Sequence, residues 1–241
     1  MTVRWMTRPM PGRDRALPEG DAKRAAVEDM FDRVAPRYDR MNRIISLGLD
    51  RRWRRRTVEA LRLPAHARVL DLACGTGDFC RDLSTAGTEP VGIDFSAGML
   101  AAADTDAPLV RGDGAALPLR DAAVDGIACG FALRNFVDLP MVFSECARVL
   151  RPGGRIAALD ATVPTNPVMR AGNAVWFRGA VPLLGRVLAH DADAYRYLPK
   201  STAYLPPVPE LLALVTTAGF TDVGHVSLTG GSVLLLTATR A

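Results

Sequence analysis

The feature that most constrains this chain is an alternation that sets in after Pro64, in which short aliphatic runs are separated by amphipathic segments of helix length. Runs that are apolar at nearly every position suit strands buried on both faces, and strands recurring between helices build a parallel sheet covered on two sides. The spacing predicts strands over 68–72, 90–93, 109–111, 124–130 and 155–160, with helices over 78–85, 96–103 and 140–150. A helix over 210–218, stopped by Gly219, leads to a terminal strand pair over 221–228 and 232–239, joined by Thr229-Gly230-Gly231. The expected fold is α/β, a doubly wound, seven-stranded, mostly parallel sheet.

What flanks this alternation is different in kind. Residues 1–20 are rich in Pro and Gly without periodicity, and read as a flexible tail. From 21 to 63 the pattern is helical: one helix over 21–34 that Pro36 ends or interrupts, then a helix to about Leu63 for which Asp50 is the expected N-cap. This segment precedes the first strand and is expected to form a lid over its carboxyl end. Residues 64–241 form the sheet domain, interrupted over 161–209 by an irregular, proline-rich insertion with a helix around 173–188. Long irregular insertions in α/β chains are commonly binding elements.

With 241 residues, 49% of them hydrophobic, the chain can bury one substantial core. No run reaches the ~18 uncharged apolar residues of a membrane span. The first residues lack the apolar stretch of a secretory signal, so a cytoplasmic protein is expected. Cys74, Cys80, Cys129 and Cys146 fall in or beside regular elements and show no metal or disulfide spacing; they are expected to be reduced and buried, with no metal site. The net charge of +4 is concentrated in Arg51-Arg52-Trp53-Arg54-Arg55-Arg56. That run reads as a solvated helix face, with contact to an anionic membrane surface as the alternative; it is too short to argue for nucleic acid.

In doubly wound sheets ligands bind beyond the carboxyl ends of the strands. Here those positions are acidic or glycine-rich. The first strand ends in Asp71-Leu72-Ala73-Cys74-Gly75-Thr76-Gly77-Asp78, where Gly75 and Gly77 let a ligand approach the backbone. Asp94 ends the second strand and suits a ribose diol; Asp113-Gly114 follows the third and suits an exocyclic amine. A dinucleotide site would bring a pyrophosphate to a G-x-G-x-x-G turn, but carboxylates at 71 and 78 would repel it. They suit instead a cofactor bearing an ammonium and a sulfonium, as S-adenosylmethionine does. Thr76 in the turn and Cys129 at the end of the fourth strand complete the expected cofactor set. The joint arrangement resembles the class I methyltransferase fold over about 64–241.

Four segments carry a closer resemblance. Residues 38–53, Tyr38-Asp39-Arg40-Met41-Asn42 onward, are similar to the N-terminal signature of the ubiquinone/menaquinone biosynthesis C-methyltransferases. Phe131-Ala132-Leu133-Arg134-Asn135-Phe136 resembles that family's motif after the fourth strand, with Ala132 where the family more usually has Gly. Residues 191–201, with Tyr195, Arg196 and Tyr197, resemble its late segment, while Arg148–Gly154 resembles a stretch found in many methyltransferases. The stretch between Asp94 and Asp113 is shorter than typical for the family.

The resemblance implies methylation of a ring carbon on a polyprenylated quinol, demethylmenaquinol first and the ubiquinone-pathway quinol second, with S-adenosylmethionine as donor. Methylation of another small phenol and a non-catalytic cofactor-binding regulator are the competing readings. Arg134 and Asn135 are the expected catalytic pair, Arg134 stabilising a phenolate rather than acting as a base; its structural alternative is a pairing with Asp138. Tyr38, Asp39, Met41 and Asn42 are expected on the lid side of the substrate, with Tyr195, Arg196 and Tyr197 opposite. His190 and Asp160 are weaker base candidates. The isoprenoid tail implies peripheral contact with the cytoplasmic membrane surface through the arginine run and the apolar stretch 175–188.

Overall fold

The computed structural model describes residues 19–176, 179 and 200–241. The predicted tail, all but its last two residues, lies outside the described residues, as do His190, Asp191, Tyr195, Arg196 and Tyr197.

Three helices lead the chain: α1 (Gly20–Val34), α2 (Tyr38–Ile45) and α3 (Asp50–Leu61). Pro36 sits at the start of a 3-10 turn over Ala35–Arg37, so it jogs the chain between α1 and α2. Asp50 is not the N-cap of α3 but its first residue, because its carboxylate accepts from Ser46 Oγ at 2.8 Å and Arg54 Nη1 at 2.9 Å.

The sheet follows as β1 (Arg68–Leu72), α4 (Asp78–Thr85), β2 (Glu89–Asp94), α5 (Ala97–Ala101), β3 (Leu109–Arg111) and β4 (Val124–Gly130). Then come α6 (Leu139–Val149), β5 (Leu150–Ala161), α7 (Pro167–Val175), α8 (Val208–Thr217), β6 (Phe220–Leu228) and β7 (Val233–Arg240). The strand order is β3-β2-β1-β4-β5-β7-β6, with β7 antiparallel to both neighbours and the remaining pairs parallel. The order reverses between β1 and β4, which places the switch point beside Asp71. β5 starts five residues before the expected Arg155: Leu150 already pairs with Val124, and Pro152-Gly153-Gly154 forms an irregularity within the ladder before Arg155 meets Gly126.

Alternation along the strands sorts the core onto two faces. Leu70, Ile127, Ile156 and Ala158 meet Val142, Phe143 and Cys146 of α6 and Leu211 and Val215 of α8. Val69, Ala128, Ala157 and Leu159 meet Leu61 of α3 and Phe79 and Leu83 of α4. Helix α3 therefore belongs to the layer covering the sheet. Helix α1 lies across the carboxyl ends of β2 and β3, where Asp32 accepts from Ser96 Oγ and Gly98 N, Glu28 pairs with Arg111 at 2.9 Å, and Arg24 pairs with Asp113 at 2.9 Å. All four cysteines are buried and free.

Candidate active site

The turn after β1 gains its shape from left-handed backbone at Ala73 (φ 56°), Gly75 (φ 55°) and Gly77 (φ 82°). A Cβ on Gly77 would meet Thr105 Cγ2 at 2.7 Å, so both conformation and space call for glycine there. Asp94 holds the turn from the next strand: its Oδ2 accepts from Gly75 N at 2.8 Å and its Oδ1 from Ser96 N at 2.9 Å. Thr76 Oγ1 donates to Asp39 on α2, tying the turn to the N-terminal helices.

Asp71 is the unusual member. It is 1% exposed, its Oδ2 accepts from Cys80 N at 3.0 Å and Sγ at 3.2 Å, and its Oδ1 has no hydrogen-bond partner among the described residues. Burial pushes its carboxyl up to about 7, against 3.8 ordinarily. Burial likewise raises Asp94 and, on α2, Tyr38, whose side chain hydrogen-bonds to Asn42.

Two cavities open at this edge. The larger, about 410 Å³, is lined by Asp71, Gly75, Thr76, Asp94, Tyr38, Asn42, Arg134 and Asn135 of the expected residues. The smaller, about 210 Å³, is lined by Asp113, Gly114 and Asn135 with Arg24 and Phe136, and the two share Ala73, Asp94, Phe95, Asn135 and Phe136. Asp113 thus faces the second cavity with its carboxylate held by Arg24 and by Ala115 N at 3.0 Å.

Asp39, Met41, Gly77 and Cys129, all expected at the site, line neither cavity. Cys129 sits in the core with its thiol pushed well up by burial, Met41 is a buried core residue, and Asp39 spends its carboxylate on Thr76. Gly77 shapes the turn without lining it. The larger cavity also draws in Phe31, Val163 and Trp176, which no motif marks, together with Trp53 and Phe131, which stand in the motifs without an assigned role. Trp53 is edge-on to Phe131, with centroids 6.1 Å apart, and its Nε1 donates to Thr229 Oγ1 at 2.9 Å. The signal available for them was modest: two of the three tryptophans of an aromatic-poor chain.

Arg134 is buried, 5% exposed, and pairs with Asp160 at the end of β5 rather than with Asp138. Asp138 instead caps α6, accepting from Met141 N at 3.0 Å. Arg134 Nε donates to Ser201 Oγ at 3.0 Å and Nη1 to Phe131 O at 2.7 Å; Nη2 meets no acceptor among the described residues. Asp160 is fully buried and accepts from Arg134 Nη1, Arg134 N and Ala161 N, which leaves it a positioning group for Arg134 rather than a base. The arginine run is likewise split. Arg54 is buried, donating to Asp50 and Asp78 at 2.9 Å and Asp82 at 2.6 Å, so it holds α3 to α4 and is unavailable to a membrane; Arg51, Arg52, Arg55 and Arg56 are exposed.

The site thus joins an under-satisfied buried acid, a glycine turn and a fixed guanidinium at one sheet edge. Known proteins are close to this chain in sequence. The chain is 43% identical over 216 residues to a demethylmenaquinone methyltransferase of Roseiflexus sp. (strain RS-1), covering 87% of this chain and 91% of that protein. It is 44% identical over 216 residues to a demethylmenaquinone methyltransferase of Mycolicibacterium vanbaalenii, covering 89% and 95%. Its fold matches a SAM-dependent methyltransferase from Thermotoga maritima with a TM-score of 0.61 at 16% identity, covering 89% of this chain and 99% of that one. Residues 19–240, from the start of α1 through the last strand, match the family model as well, and the chain belongs to the ubiE/COQ5 methyltransferase family.

Proposed function

We propose that this protein is an S-adenosylmethionine-dependent C-methyltransferase that converts demethylmenaquinol to menaquinol. The observation that carries this reading is the larger cavity, where the unpartnered Asp71 Oδ1 and the fixed guanidinium of Arg134 line one chamber about 410 Å³ in volume. The relatives at 43% and 44% identity, both demethylmenaquinone methyltransferases, supply the substrate class.

The residues fit the cofactor. A buried carboxylate with a free oxygen calls for a cation, and Asp71 with Asp94 supplies acidic groups at the turn where the backbone is open to approach. When bound, S-adenosylmethionine supplies an electrophilic methyl group on a positively charged sulfur. Asp71, Gly75, Thr76 and Asp94 would hold it, with Asp113 and Gly114 in the adjoining cavity.

The chain's own residues then have distinct tasks. Arg134, oriented by Asp160 and Ser201, presents Nη2 to a quinol oxygen and favours its ionised form, which concentrates electron density on the neighbouring ring carbon. Asn135 and Asn42 offer hydrogen bonds to the ring oxygens, and Asn42 also orients the Tyr38 hydroxyl. Tyr38, Phe31 and Trp53 exclude water from the reacting carbon.

The test is purified protein with S-adenosylmethionine and a short-chain demethylmenaquinol, the product read by mass spectrometry. A gain of one methyl on the ring carbon is expected, and Arg134→Ala should lower kcat by roughly 10²–10³-fold. An unmodified quinol, with cofactor binding intact, would overturn the assignment.

A further inference from the structure

Helix α7 faces the wrong way for an element that only closes a cavity. Arg170, Asn173 and Ala174 line the larger cavity. At about 100° per residue, Val168, Ala171 and Val175 fall on the opposite face. Val168 is 72% exposed, Val175 is 75% exposed, and no residue of the helix is buried. A helix in water normally turns its apolar stripe inward; this one turns it out.

The same apolar exposure continues around the cavity's rim. Leu47, in the turn between α2 and α3, lines the cavity while 70% exposed, and Val163 lines it while 55% exposed. Trp176 Nε1 donates to Ile45 O at 3.1 Å, fastening the end of α7 to the end of α2 so that both sides form one rim. Flanking Leu47 in the chain are the exposed Arg40, Arg43, Arg51 and Arg52, none of them in a described ion pair, and the one acid between residues 40 and 56 is Asp50, buried against Arg54.

We propose that this rim docks on an anionic lipid bilayer: Leu47, Val163 and the outer face of α7 enter the interface while the arginines meet the headgroups. The polyprenyl chain then passes from hydrocarbon into the cavity without crossing water. An apolar rim fringed by exposed cations matches the chemistry of an anionic membrane surface, and the inference rests on the polyprenylated-quinol reading. Contact thus falls to the rim, away from the buried Arg54.

The experiment is co-sedimentation with phosphatidylcholine vesicles, with and without phosphatidylglycerol, alongside turnover on tail-less 1,4-naphthalenediol. The protein should bind the phosphatidylglycerol vesicles and release in high salt. Two variants, Val168→Asp/Val175→Asp and Arg43→Glu/Arg51→Glu, alter exposed residues that line neither of the two cavities. Each should lower vesicle affinity roughly tenfold or more, with turnover on the tail-less quinol kept. Absence of binding by the unmodified protein, or unchanged binding by both variants, would overturn the proposal. So would a dimer that Val168→Asp/Val175→Asp splits without loss of vesicle affinity, since that assigns the face to a second copy. If vesicles are bound as expected but no quinol is methylated, the rim stands and the proposed reaction falls.

Discussion

At the scale of single residues, Asp71 couples stability to charge. Its folded-state carboxyl titrates at about 7 against 3.8 ordinarily, because burial disfavours the anion. Between those values the folded chain keeps a proton that the unfolded chain has lost, so stability falls as pH rises through this window and is lowest above 7. Asp71→Asn should therefore melt higher than the unmodified protein at pH 8, by roughly 1–3 kcal/mol, with the difference closing towards pH 4. Thermal melts across that range check it. A cation bound beside Oδ1 restores the anion, so binding should release a proton near neutral pH, seen as a buffer-dependent heat in calorimetry. The acid's position was legible from the sequence as a strand end; its unpartnered oxygen was not, because that depends on which donors the folded turn brings within reach.

At the scale of elements, contacts to α1 and α3 hold the helices that border the site. Gly98 sits where a Cβ would meet the Asp32 Cα of α1 at 2.8 Å, so Gly98→Ala must push α1 away from α5. A loss of about 1–3 kcal/mol is expected, with weaker cofactor binding because Asp32 also holds Ser96 next to Asp94; denaturant melts and a binding titration measure both. On α3, Arg54→Ala would remove the cation that Asp50, Asp78 and Asp82 share, leaving Asp78 with Arg81 alone. That should cost about 3–5 kcal/mol, whereas Arg55→Ala, whose partner Glu59 lies 3.8 Å away on an exposed face, should change stability by less than about 0.5 kcal/mol. Chemical denaturation of the two variants separates them. Nothing in a run of like charges distinguishes its buried member, since the three acids that select Arg54 come from two helices.

At the scale of the whole molecule, the sheet gathers the site by its topology. Asp71 from β1, Asp94 from β2, Arg134 after β4 and Asp160 from β5 meet because parallel strands end at the same edge and the order reverses between β1 and β4. The rim that we assign to the bilayer is equally a whole-molecule property, assembled from α7 and the turn after α2, elements more than 100 residues apart in the chain.

By itself the sequence determined the strand and helix sequence after Pro64 outside the 161–209 insertion, with β1, β3, β4 and α4 at their observed limits, because local periodicity and glycine placement are near-neighbour effects; within the insertion the expected helix lies around 173–188, whereas α7 spans Pro167–Val175. It also marked the acids and the Arg134-Asn135 pair, since side chains just beyond parallel strands share one edge whatever the details. Only the tertiary structure decided that Arg134 pairs with Asp160 and not Asp138, that Cys129 and Met41 belong to the core, and that α3 covers the sheet while its Trp53 also borders the larger cavity. Each of those outcomes depends on distances between residues far apart in sequence, and burial, which moves the Asp71 carboxyl and unbalances the faces of α7, exists only once the chain has closed around it.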